Sequence, residues 1–129
     1  MNGECGDIVA LFEKLKSSML CSFPESGRLQ DVTSSQGVYI IYDADERVLH
    51  VGKSSRGKKG LFQRLTNHLA GQSSFVDLYF KGDKIQVRAC RFRYIAVEDS
   101  RRRALLEAYA IGCLCPAHIG LNEKVLISN

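Results

Sequence analysis

Tyr39, His50 and Lys53 are the first residues whose types and spacing could do chemistry together. A phenol, an imidazole and an ammonium around one point can pass protons and neutralise an anion. What would gather them is a β-hairpin. Val38 to Tyr42 is β-branched and aromatic, Val48 to Val51 is mainly aliphatic, and Asp43-Ala44-Asp45-Glu46 between them is polar and turn-forming. With the turn centred between Ala44 and Asp45, antiparallel pairing puts Tyr39 opposite His50, Cβ atoms about 5 Å apart. Val38, Ile40, Leu49 and Val51 then fill the core from one face, while the Tyr39/His50 face, with Ile41 and Val48, stays partly free. A one-residue slip would separate the pair. On the hairpin alone the plainer account is an ordinary cross-strand aromatic pair, because half-buried Tyr and His are common in sheets.

The positioning elements must come from 129 residues, enough for one domain with a real core and too few for two. With 45% hydrophobic and 25% charged residues, the chain reads as an ordinary globular protein without disordered bias or repeats. Glu4, Asp7, Glu13 and Lys14 interrupt the first segment, so it resembles neither a signal peptide nor a membrane span, and the expected location is cytoplasmic. Five cysteines, at 5, 21, 90, 113 and 115, are odd in number and unevenly spaced, which argues for a reducing compartment. Cys113, Cys115 and His118 lack a fourth ligand at zinc-site spacing, so they read as buried thiols and no zinc is assigned.

The net charge of +4 is modest, but it is concentrated in three clusters. Lys53, Arg56, Lys58, Lys59 and Arg64 form one; Arg88, Arg91 and Arg93 a second; Arg101, Arg102 and Arg103 a third. Solvated surface charge explains any one of these, whereas three suggest basic faces for a polyanion.

Along the chain, Ile8, Phe12, Leu15 and Met19 share one face of a helix from Asp7 to Leu20, with Asp7 as its cap. Pro24 to Gln36 is a loop, and so is the glycine-, serine- and lysine-rich run from Ser54 to Gly60. Leu61, Leu65 and Leu69 mark a helix over 61–70 stopped by Gly71, with Arg64 and His68 one above the other beside the leucine stripe. Ser73 to Phe80 is either a short helix or irregular, and Lys81-Gly82-Asp83 is a turn. Ile85 to Val97 reads as a long strand whose apolar phase shifts at Phe92, suggesting a bulge. A helix from about Arg101 to Leu114, capped by Asp99 or Ser100 and ended by Pro116, would turn Leu105, Ala108, Tyr109 and Gly112 inward. Glu107 falls beside Arg103 one turn earlier, which makes a plain ion pair the simplest reading and a metal ligand the alternative.

In order, Gly37-Val38-Tyr39, His50-Val51-Gly52-Lys53, Arg64 with His68, Glu107 and Asn122 resemble the GIY-YIG nuclease superfamily over 37–122. His50 stands where that pattern has its second tyrosine. The resemblance implies one α+β domain over 1–129, an α/β sandwich with a mainly antiparallel three-stranded sheet flanked by helices, and a helical extension over 1–36. It implies a metal-dependent endonuclease acting on duplex or structured DNA, with one Mg²⁺ or Mn²⁺ ion on Glu107. Tyr39 would accept the proton of the attacking water, helped by His50 and Lys53. Arg64 would hold the scissile phosphate, with His68 orienting it or assisting proton transfer and Asn122 supporting the geometry. Arg56, Lys58 and Lys59 would touch the nucleic-acid backbone. A symmetric dimer would be needed to cut both strands at once. The alternatives are a nucleic-acid-binding module that keeps the fold without cleaving, and a small interaction protein whose basic patches only solvate it.

Overall fold

The computed structural model describes residues 3–55 and 57–120. Arg56 and Asn122 therefore lie outside the described residues. The elements are α1 (Gly3–Ser17), β1 (Cys21–Ser22), β2 (Gly37–Tyr42), β3 (Val48–Lys53), α2 (Gly60–Leu69), α3 (Ser74–Tyr79), a 3₁₀ turn (Lys84–Ala89), β4 (Arg91–Ala96) and α4 (Ser100–Leu114). The sheet runs β1-β4-β2-β3, antiparallel throughout. Its fourth member is the two-residue β1, which the sequence did not announce.

The central strand β2 is buried on both faces, and each face meets its own helical layer. Tyr39 and Ile41 join Leu61, Leu65 and Leu69 of α2, Phe75 and Val76 of α3, and Val87. Val38 and Ile40 join Ile8, Phe12 and Leu15 of α1 and Leu106 and Ala110 of α4. The result is the α+β sandwich expected, with helices on both sides of the sheet. Among the described residues, no helix is long and apolar enough to cross a membrane.

Several local expectations are corrected. The hairpin turn is longer than a two-residue turn: Asp43 Oδ1 accepts from the Asp45 and Arg47 amides, and Glu46 takes a left-handed φ of 63°. This shifts the pairing by one residue, to Tyr42 with Val48, and a bulge opposite Ile41 and Tyr42 shifts it by one more. Tyr39 therefore faces Gly52, and His50 faces Ile41. Leu49 joins the Tyr39 face while Val48 turns to the other. That Tyr39 face is not partly free, since Tyr39 and Ile41 are 0% exposed.

The long strand over 85–97 is instead a 3₁₀ turn followed by β4. Asp83 opens the turn by accepting from the Ile85 amide, and Ile85, the first residue of the expected strand, is 72% exposed. The phase shift at Phe92 is this junction. Helix α1 begins four residues before Asp7, so Asp7 is not its cap but pairs with Arg102 at 2.8 Å. In α4, capped by Asp99, the buried positions are Arg103, Leu106 and Ala110, so the inward face is rotated from the one expected. Cys113 and Cys115, expected buried, are exposed.

Two of the three basic clusters largely serve the fold. Arg101 and Arg102 pair with Glu4 and Asp7 of α1. Arg88 donates to the Pro24 and Gly27 carbonyls, Arg93 to Ser18 O, and Arg91 lies 3.8 Å from Glu46. Arg103 is 5% exposed and donates to the Val97 and Glu98 carbonyls, at 2.9 and 3.1 Å. Buried charged donors are expensive to lose and exposed pairs are not. Arg103→Ala is thus expected to lower the unfolding free energy by about 2 kcal/mol, and Arg101→Ala by under about 1 kcal/mol, in urea titrations.

Candidate active site

Helix α2 brings Arg64 and His68 to the sheet because Leu61 and Leu65, both 0% exposed, fix which side faces β2. His68 is itself fully buried, and Arg64 is half-buried. Below them the chain turns at Gly71, φ 78°, and Ser73 caps α3 by accepting from the Val76 amide at 3.3 Å. This return places Ser73 Oγ 2.8 Å from His68 Nδ1, while His68 Nε2 lies 2.6 Å from the Tyr39 hydroxyl. Tyr39, His68 and Ser73 thus form one buried hydrogen-bonded line from sheet to helix cap.

His50 remains a neighbour of Tyr39 despite the changed register, with ring centroids 5.9 Å apart. Its ring stacks on Phe75, centroids 4.9 Å apart and planes 12° from parallel, and lies 5.2 Å from His68 and 5.3 Å from His118. Both His50 nitrogens are buried without a hydrogen bond of ordinary geometry, although the His118 backbone is close. Gly52 shapes the space beside it: a Cβ there would collide with Tyr39 Oη and stand 3.1 Å from His50 Nε2. Any side chain at 52 would therefore push into the phenol.

The electrostatics keep these groups neutral. Burial, then the neighbouring His118 and Arg64 charges, pushes His50 down to about 3. His68 is driven well below its ordinary value by burial, then by His50, Arg64 and His118. Burial drives the Tyr39 phenol strongly upward, and Arg64 beside it opposes that rise. The neutral imidazoles are available as hydrogen-bond acceptors.

In front of this line opens a polar cleft of about 440 Å³, walled by His50, Gly52 and Lys53 from β3, Gln63, Arg64 and Asn67 from α2, and Glu107 from α4. Glu107 does not pair with Arg103; its Oε1 lies 3.9 Å from Lys53 Nζ across the cleft. Burial raises the Glu107 carboxyl pKa, against the pull of Lys53 and Arg64. Among the described residues no three His, Cys, Asp or Glu converge as a metal-binding set. The cleft instead offers one hard carboxylate with room for water and phosphate oxygens, a donor set that suits Mg²⁺ better than a cage-seeking ion. Lys58 and Lys59 lie exposed at the start of α2.

The sequence reading missed Ser73, Phe75, His118 and the space over Gly52. Only Ser73 carried a local signal, a hydroxyl ahead of a short apolar run. What makes it matter is its distance to His68, set by tertiary packing.

No family model matches the chain. UvrABC system protein C of Pectobacterium atrosepticum is 42% identical over 93 residues, covering 66% of this chain and 15% of that protein. The Rickettsia bellii protein of the same description is 32% identical over 84 residues, covering 65% and 12%. The chain therefore spans less than a sixth of these relatives' length. Among solved structures it resembles the GIY-YIG N-terminal endonuclease domain of UvrC from Thermotoga maritima bound to its catalytic divalent cation, magnesium. The identity is 27% and the TM-score 0.50, with 66% of this chain and 83% of that one covered. A point mutant of that domain, also bound to its catalytic divalent cation, is 26% identical with a TM-score of 0.52, covering 69% and 87%. The motif order along the sheet and helices and these likenesses agree, and the chain belongs to the GIY-YIG superfamily.

Proposed function

We propose that this chain is a metal-dependent endonuclease that hydrolyses DNA phosphodiester bonds. The observation that carries the reading is the convergence on one cleft of Lys53, Arg64 and Glu107, with Tyr39 and His68 directly behind. Hydrolysis needs a proton acceptor for water, neutralisation at phosphorus and help for the leaving 3′ oxygen. Tyr39 Oη is the acceptor; burial raises its pKa, and the Arg64 guanidinium beside it opposes that rise. Arg64 also presents its donor fork to the scissile phosphate, and Lys53 adds a point charge on the opposite wall. His50, occupying the second tyrosine's position, lines the cleft beside Tyr39 and, held neutral by its burial, serves as a hydrogen-bond partner rather than a proton carrier. Asn122 would steady the geometry. Glu107 would hold one Mg²⁺ or Mn²⁺, and that ion would supply charge neutralisation at the phosphate. The UvrC relatives suggest DNA as the substrate.

A second reading, binding without cleavage, draws on one observation: Tyr39 is fully covered, its hydroxyl held by His68 rather than turned to the cleft. A plasmid-nicking assay with Mg²⁺ separates the two. Nicking is expected in the parent chain, with loss in Glu107→Ala and a drop of about 10²- to 10³-fold in Arg64→Ala at unchanged cooperative unfolding. Undiminished nicking by the Glu107 variant would remove the single-ion assignment.

With two basic clusters engaged in the fold, the cations left for phosphate are Lys53, Arg56, Lys58, Lys59 and Arg64. Releasing a counterion at each predicts a salt slope for DNA binding of no more than about 4 to 5, measured by fluorescence anisotropy. A much steeper slope would return the other clusters to the interface.

The raised Glu107 pKa sets the direction of a pH effect. Only the carboxylate binds a cation, so affinity is lost as pH falls, and sooner in that fall than for a carboxylate at its ordinary value. Mn²⁺ binding followed by electron paramagnetic resonance should weaken on acidification before an ordinary exposed carboxylate would protonate, and an affinity held constant until that point would contradict it.

A further inference from the structure

We infer that Ser54 is a phosphate-binding residue, whose hydroxyl donates to a non-bridging oxygen of the backbone phosphate next to the scissile one. Which phosphate is scissile rests on the nuclease reading; the contact itself rests on one proton that the fold leaves over. Ser54 is 2% exposed and lines the cleft immediately after Lys53. Its amide donates to the Gly37 carbonyl at 3.0 Å, and its Oγ accepts from the Gly37 amide at 2.9 Å. The two bonds continue the β2–β3 ladder by one pair, with the serine hydroxyl standing where a backbone carbonyl would otherwise accept. Closing the sheet in this way uses an oxygen lone pair only. The hydroxyl proton meets no acceptor among the described residues.

A buried hydroxyl proton left unpaired is costly, so an acceptor from outside the chain is expected to meet it. The open side of Ser54 is the cleft, and its acceptor is therefore supplied by what the cleft binds. With its amide and its Oγ both held by Gly37, the side chain is oriented before any ligand arrives. A phosphate oxygen, anionic and without a proton of its own, suits a lone O–H donor, and the bond is charge-assisted.

Its place along the strand selects the phosphate. His50 stacks on Phe75, and a Cβ on Gly52 would collide with the Tyr39 hydroxyl, so both positions face α2. Val51 and Lys53 alternate to the other face, Val51 packing with Leu106 and Lys53 reaching toward Glu107 of α4. Ser54 then returns to the Tyr39 face, two residues and about 7 Å along from the space over Gly52. A reacting phosphate seated against Tyr39 and Arg64 lies one strand repeat away, and the next phosphate of the backbone comes to Ser54. Leu61 lies against Gly37, so this is the end of the cleft where α2 begins and where Lys58 and Lys59 are exposed. There a neutral donor holds the second phosphate beside the lysine charges.

The test is an NMR titration of the full chain, without metal, with thymidine 3′,5′-bisphosphate and with thymidine 5′-monophosphate. The second phosphate is expected to tighten binding to the parent chain. Ser54→Ala should lose about tenfold in affinity for the bisphosphate and little for the monophosphate, while Ser54→Thr, which keeps the hydroxyl, binds both as the parent does. A parent chain that gains nothing from the second phosphate, equal losses on the two ligands, or an unchanged bisphosphate affinity in folded Ser54→Ala would overturn the proposal. If Ser54→Ala does not fold, Ser54→Cys, whose thiol is a weak donor, decides it by the same difference between the ligands. In cleavage assays Ser54→Ala should raise KM on the order of tenfold at little-changed kcat, and a loss confined to kcat would put Ser54 on the scissile phosphate, against the proposal. A parent chain that shows the expected ligand preference but never cleaves would tell against the nuclease reading and leave the Ser54 contact standing.

Discussion

The 2.6 Å hydrogen bond between Tyr39 and His68 joins the central strand to helix α2 inside a fully buried core. Neither ring could be buried alone without leaving a polar atom unpaired. The phenol belongs to one apolar cluster with Ile41, Leu49, Leu65 and Leu69, and the imidazole meets Phe75 edge-on. The bond and the buried Leu61 and Leu65 together tie α2 to the sheet, and Arg64, one turn before His68, lies in the cleft wall. Gly52 completes the constraint by leaving the phenol its space.

Burial gives the site its electrical character. His50, His68 and His118 crowd around Phe75, and the fold tolerates His50 and His68 because they remain uncharged. Charge is kept to the cleft walls, with Lys53 and Arg64 facing Glu107. In the proposed reaction, a neutral, hydrogen-bonded interior behind a charged mouth would let a phosphate be neutralised at the surface while the phenol is held from within.

Much of this was readable in the sequence where one element sufficed. The leucine repeat located α2 and put Arg64 and His68 on adjoining positions, Asp99 marked the start of α4, and motif order gave the family. What could not be read depended on contacts between distant segments or on backbone conformation. The hairpin register turned on a left-handed Glu46 and the side chain of Asp43, neither visible in an alternation of apolar residues. The arginine clusters resembled a binding face until their partners, Glu4, Asp7 and backbone carbonyls remote in sequence, were seen. Ser73 was an unremarkable helix cap until α3 folded back beneath His68.

The central claim is that Tyr39 and His68 act as one unit in cleavage, and a double-mutant cycle on the nicking rate tests it most directly. Tyr39→Phe and His68→Ala should each slow nicking strongly, and the double variant should be little slower than the worse single one. Rate losses that multiply would mean that the two residues contribute independently, and the hydrogen bond between them would then be structural only.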